Sequence, residues 1–155
     1  MRIGRMLCLS LVVGFASGCA SSRDPSPSEQ RVLERAAQVA LSMVGKPYHY
    51  GGNSPQRGFD CSGLVQYSYG RAGLNLPHGT TQLKRLSKPI SSRSLRPGDL
   101  LFFDQESKSS SHVAIYVGDD RFVHAPSSGK YVHVGNFASR YWKDHFNEAR
   151  RLDVD

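Results

Sequence analysis

The hydrophobic period of this 155-residue chain changes once, at Pro97-Gly98, and that change constrains the fold more than any other feature. Upstream, apolar residues recur at helical spacing: Val32, Ala36, Ala40 and Met43, flanked by Leu33, Ala37 and Val44. Ser28 stands where a helix N-cap belongs, and Gly45-Lys46-Pro47 stops the helix near Val44. A Gly-rich loop, 51–58, precedes a second helix that begins at Asp60-Cys61-Ser62-Gly63 and ends at Gly73. A shorter helix is expected over 81–86. Downstream the period is that of strands, at 99–103, 112–117, 121–124, 131–134 and 150–154. The polar tract 105–111 has no period and reads as a mobile loop. Helices followed by short strands with hairpin turns predict an α+β domain, N-terminal helices packed on an antiparallel sheet of about five to six strands. The length suits one such domain, placed at 31–155.

The first 18 residues do not belong to that domain. Arg2 and Arg5 open a positive start, an apolar run follows from Met6 to Ala16, and Ser17-Gly18 closes it. This is the three-part layout of a secretory signal, too short to span a bilayer. Ala16-Ser17-Gly18-Cys19 resembles the bacterial lipobox, which implies cleavage before Cys19 and lipidation of its thiol. Two or three acyl chains anchor a protein stably where one does not. The small, Pro-rich residues after Cys19 read as a tether, so that 19–30 links anchor to domain. The formal charge of +7 suits anionic partners or surfaces, and also simple solubility. With Cys8 lost and Cys19 acylated, Cys61 is left as a lone thiol in an oxidising compartment, either inertly buried or used for chemistry.

The position of Cys61 favours chemistry. Asp60 as N-cap puts the thiol in the first helical turn, where free backbone N–H groups and the helix dipole stabilise a thiolate and can hold an oxyanion. His112 and His124 flank a hairpin around Gly118-Asp119-Asp120. A three-residue turn would pair Val117 with Arg121 and place His124 opposite Ala114, so that both imidazoles share a face at roughly 7–8 Å between Cα atoms. A two-residue turn at Asp119-Asp120 puts them on opposite faces unless a bulge restores parity. With the correct parity, His112 can act as general base and ion-pair partner of Cys61, and His124 can orient it. Otherwise each is a satisfied histidine in its own strand.

Five segments in order carry a resemblance: Gly45-Lys46-Pro47-Tyr48-His49-Tyr50-Gly51-Gly52, Phe59-Asp60-Cys61-Ser62-Gly63-Leu64-Val65, Leu95-Arg96-Pro97-Gly98-Asp99-Leu100, His112-Val113-Ala114-Ile115-Tyr116-Val117-Gly118 and Phe122-Val123-His124-Ala125. Together they resemble the NlpC family of papain-like cell-wall peptidases, over about Val32 to Leu152. The elements at 141–143 and 147–151 resemble its short lipoprotein branch. The resemblance implies a small papain-like domain with Cys61 as nucleophile, His112 as base and His124 as third polar residue. It also places Tyr48 and Ser62 at the substrate or oxyanion. It implies hydrolysis of peptide bonds in peptidoglycan stems or cross-links beside meso-diaminopimelate, without a cofactor or metal. The expected partners are peptidoglycan and, through Cys19, a membrane, with no nucleic acid and a monomeric state. By resemblance to bacterial lipoproteins, Ala20 after Cys19 implies sorting to the outer membrane, facing the periplasm.

One departure concerns specificity. Relatives often show Leu-Pro-Arg where this chain has Leu76-Pro77-His78, so a groove-lining Arg that could pair with a substrate carboxylate is missing or replaced by His78. His49, His133 and His145 have no motif role and read as solvated or packing residues. Other readings are a Cys-His amidase or acyltransferase on another envelope substrate, a zinc site built on Cys61, His112 and His124, and a non-catalytic wall-binding lipoprotein.

Overall fold

Ser26, two residues before the expected cap, starts the first helix in the computed structural model, which describes residues 24–105 and 108–154. Its hydroxyl accepts the Glu29 N–H at 3.3 Å while the Glu29 carboxylate accepts the Ser26 N–H, a reciprocal capping box, and Pro27 takes the first helical position. Ser28 sits inside the helix because the Pro27 ring, with its fixed φ and missing N–H, fits that first position. The signal segment and Cys19 lie outside the described residues.

Helix α1 is Pro27–Ser42 and α2 is Cys61–Ala72; a small ribbon of β1 (Asn53–Ser54) and β2 (Gly58–Phe59) lies between them. Then come α3 (Thr80–Arg85), β3 (Ser87–Ile90), β4 (Leu100–Gln105), β5 (Lys108–Gly118), β6 (Arg121–His124), β7 (His133–Asn136), α4 (Arg140–His145) and β8 (Phe146–Leu152). The main sheet is antiparallel and six-stranded, in the order β3-β8-β4-β5-β6-β7. The α+β architecture is therefore as expected, with β3, α4 and the β1–β2 ribbon added to the elements read from the sequence.

The run Leu100-Leu101-Phe102-Phe103 is continuous rather than alternating because the sheet is covered on both faces. Leu100 and Phe102 join Val113, Ile115 and Val123 in the core beneath α1 and α2. Leu101 and Phe103 join Ala114, Tyr116 and Phe122 on the other face, beneath Phe137, Trp142 and Phe146. At the foot of β4, the fully buried Asp99 accepts two 2.7 Å bonds from Arg151 on β8 and one from the Arg96 N–H. Burial pushes its carboxyl up, and the guanidinium opposes that; a charge here is tolerable only because it is paired.

The tract read as a mobile loop at 105–111 is instead partly strand. Gln105 pairs with Lys108, and the Ser111 hydroxyl bonds both the N–H and the carbonyl of Gln105. Side-chain hydrogen bonding supplies the ladder end where no apolar period announces it.

The hairpin turn resolves the parity of the two histidines. Asp119 and Asp120 form a two-residue turn with φ of 52° and 53°, the left-handed pair that such hairpins need. Gly118 pairs with Arg121, but Tyr116 pairs with Phe122 and Ile115 with Val123, so Val117 is bulged out. The bulge shifts register by one, and continuing it sets His124 opposite Ala114. Both imidazoles share a face.

Candidate active site

The Cys61 thiol is placed by the cap of its own helix. The Asp60 carboxylate accepts the Gly63 N–H at 2.7 Å, the Gly51 N–H at 2.9 Å and the Ser62 hydroxyl at 3.2 Å. These bonds tie the start of α2 to the Gly-rich loop. Gly63 is required there: a Cβ would come within 1.9 Å of the Gly52 carbonyl oxygen, which itself accepts the Asp60 N–H. Without a side chain at 63, the helix N-terminus can lie directly on the loop.

The backbone amides of Val113, Ser62 and Cys61 itself lie near the sulfur and favour its thiolate. Burial works against them and is larger, the Asp60 charge adds to it, and the thiol pKa is raised. The sequence argument from the helix dipole is thus outweighed by desolvation. His112 and His124 are 2% and 1% exposed. Burial lowers the His112 pKa to about 4, with a smaller push from His133; it lowers His124 further, aided by His112, His133 and Lys130. These shifts favour a thiol and neutral imidazoles over the ion pair expected from the sequence.

The imidazoles are in direct contact. His112 Nε2 lies 2.9 Å from His124 Nδ1, with the rings nearly perpendicular at 81°. With Nε2 engaged, Nδ1 is the ring nitrogen of His112 left for another partner. Val113, whose backbone amide lies near the sulfur, is the next residue along β5, so the thiol of α2 lies against the strand that carries His112. Trp142 of α4 covers the pair, stacked on His112 at 24° and edge-on to His124 with centroids 4.9 Å apart. Sequence reasoning attached this tryptophan to a family branch, not to the site.

Tyr48 is half-buried, and burial, with the charges of Asp60 and Cys61 adding, raises its pKa, so it stays a hydroxyl donor beside the thiol. The Ser62 side chain is spent on Asp60, which leaves its backbone N–H as what it offers the site. His78 Nε2 bridges both Asp60 oxygens at 2.9 and 2.8 Å. The residue standing in for the expected Arg therefore sits on the cap of α2. His49 and His145 make only local bonds, to the carbonyls of Tyr50 and Tyr141. His133 is different from what was expected: its Nε2 lies 3.0 Å from His124 Nε2. The two are direct partners across β6 and β7, a pairing set by the 125–132 connection and invisible in spacing.

A thiol at a helix N-terminus, held against a sheet that carries a hydrogen-bonded imidazole pair, defines a papain-like domain. The chain belongs to the NlpC/P60 family, whose model matches residues 45–151. It is 37% identical over 143 residues to the bifunctional muramidase/DL-endopeptidase CwlT of Bacillus subtilis, covering 91% of this chain and 43% of that one. It is 33% identical over 152 residues to the murein DD-endopeptidase MepH of Escherichia coli, covering 90% and 56%. A crystal structure of a Staphylococcus aureus protein described as similar to lipoprotein, NLP/P60 family, superposes with a TM-score of 0.72 at 34% identity, covering 88% and 45%. The chain thus spans about half the length of these relatives.

Proposed function

We propose that this chain is a lipid-anchored cysteine endopeptidase of the cell wall, with Cys61, His112 and His124 as its catalytic triad. The observation that carries the reading is the 2.9 Å bond between the buried imidazoles of His112 on β5 and His124 on β6, with the backbone amide of Val113, next to His112, near the Cys61 sulfur. Two relatives are named as endopeptidases, one for a DL and one for a DD bond. The substrate is accordingly a peptide bond in a peptidoglycan stem or cross-link beside meso-diaminopimelate.

In this mechanism His112 Nδ1 takes the thiol proton as Cys61 Sγ attacks the carbonyl carbon. Because burial disfavours both charges separately, proton transfer and attack proceed together. The oxyanion is met by backbone N–H groups at the start of α2 and by the Tyr48 hydroxyl. His112 then gives the proton to the leaving amine, and a thioester remains. Water, deprotonated by His112, hydrolyses it and restores the thiol. His124 holds the His112 ring through both halves. Cys19, lipidated after signal removal, anchors a monomeric domain through the 19–30 segment to the outer membrane, facing peptidoglycan in the periplasm.

Thiol alkylation and chelation separate the chemistries. Hydrolysis of purified sacculi should be abolished by iodoacetamide and unaffected by EDTA. Loss of activity on chelation, or activity that survives complete alkylation of Cys61, would overturn the cysteine mechanism.

A further inference from the structure

Three imidazoles, not two, form a continuous line. His112 Nε2 meets His124 Nδ1 at 2.9 Å, His124 Nε2 meets His133 Nε2 at 3.0 Å, and His133 Nδ1 meets the Tyr131 carbonyl oxygen at 2.9 Å. The last atom of the line differs from the rest, because a carbonyl oxygen can only accept. His133 must therefore carry its proton on Nδ1, which leaves Nε2 a lone pair. His124 Nε2 must then be the donor, and His124 Nδ1 the acceptor. That in turn puts the His112 proton on Nε2 and leaves Nδ1 unprotonated, the form a general base needs.

We infer that His133 is a positioning residue: anchored on the Tyr131 carbonyl, it sets the tautomer of His124 and through it that of His112, so that the base faces Cys61 with a free lone pair. This rests on the triad reading above and extends it by one residue.

Two features distinguish this from incidental packing. His133 is exposed on the last strand of the sheet, where it adds little to the core. A cleft lined by Lys130, Tyr141, Trp142 and His145 also opens onto His124 and His133. Water in that cleft could either donate to or accept from His124 Nε2, so it would select neither tautomer. His133 replaces it with a group that can only accept. The anchor is itself held: Pro47 and Tyr131 form an antiparallel bridge, and the flanking Tyr48 and Val132 N–H groups donate to the Lys130 and Lys46 carbonyls at 2.8 Å each. The segment that delivers Tyr48 to the thiol therefore also fixes the carbonyl that orients His133.

The test compares the wild-type chain with His133→Gln and His133→Arg. Gln offers a carbonyl oxygen to His124 Nε2, whereas Arg offers only donors. Long-range 15N–1H NMR of the labelled full chain should show His133 protonated on Nδ1, and His124 and His112 on Nε2. His133→Gln should keep that pattern and nearly wild-type turnover of a soluble muropeptide. His133→Arg should move the His112 proton to Nδ1 and lower kcat by at least about 100-fold, with KM and thermal midpoint little changed. A wild-type His133 protonated on Nε2, or an Arg variant with the kcat of the Gln variant, would overturn the assignment. An inactive wild-type chain would overturn the murein reading instead, and the tautomers, read without substrate, would still decide the role of His133.

Discussion

Burial decides the protonation of the site at the level of single residues. It raises the Cys61 pKa and lowers those of His112 and His124, so the neutral form of each is favoured. One consequence is thermodynamic. Histidines in the unfolded chain titrate near 6.5, and His112 in the fold near 4. Between those values the unfolded chain binds more protons, so stability present above about pH 6.5 is lost as pH falls toward about 4. The free energy of urea unfolding should drop across that window, by on the order of 3 kcal/mol for His112 alone, and His112→Gln should flatten the drop; a pH-independent unfolding free energy would contradict neutral buried imidazoles. The other consequence is kinetic. An amide at 124 can accept from His112 Nε2 and donate to His133, so His124→Gln should keep measurable hydrolysis where His124→Ala loses considerably more. His112→Gln should be as inactive as His112→Ala, because an amide cannot shuttle a proton. Steady-state rates on a muropeptide check the order, and the reverse ranking would exchange base and orienter.

The elements around the site differ in how they are encoded. Helix α2 is written locally: Asp60 caps it, Gly73 ends it at φ 102°, and both signals stand in the sequence. Its contact with the loop depends on one hydrogen atom. Gly63→Ala would drive a Cβ into the Gly52 carbonyl and displace either the loop or Cys61, so the variant should lose at least about tenfold in kcat/KM and about 1–3 kcal/mol of stability. Wild-type values in both measurements would show that the loop does not position the thiol. The hairpin of β5 and β6 was legible as strands but not in register, since the bulge at Val117 comes from matching a two-residue left-handed turn to a sheet buried on both faces. β3 was not legible, because Ser87-Lys88-Pro89-Ile90 is short and lacks alternation, and its pairing with β8 joins residues about sixty positions apart. Trp142 and His133 escaped for a related reason. Each meets the histidine pair across the tertiary fold, through α4 or the register of β7, and neither carries a local signal of that contact.

At the scale of the whole molecule, the sequence pairs a basic composition and a lipobox-like start with the α+β domain. If Cys19 is the acylated residue, Cys19→Ala should move the mature protein from the membrane to the soluble periplasmic fraction, with the hydrolytic rate of the purified domain unchanged; a variant that stays with the membrane would refute the anchor. The family fold was readable because five motifs stand in order, while the bond cleaved was not, because the groove position expected to hold Arg carries His78 and that ring is committed to Asp60. The central claim is that Cys61 makes this domain a murein endopeptidase. Its most direct test is mass spectrometry of muropeptides released from purified sacculi by the wild-type chain and by Cys61→Ala, which retains the small volume at the helix start. The account predicts new stem-peptide fragments, each carrying one added water across a single peptide bond, from the wild type and none from the variant. Identical fragment patterns from the two proteins would contradict it.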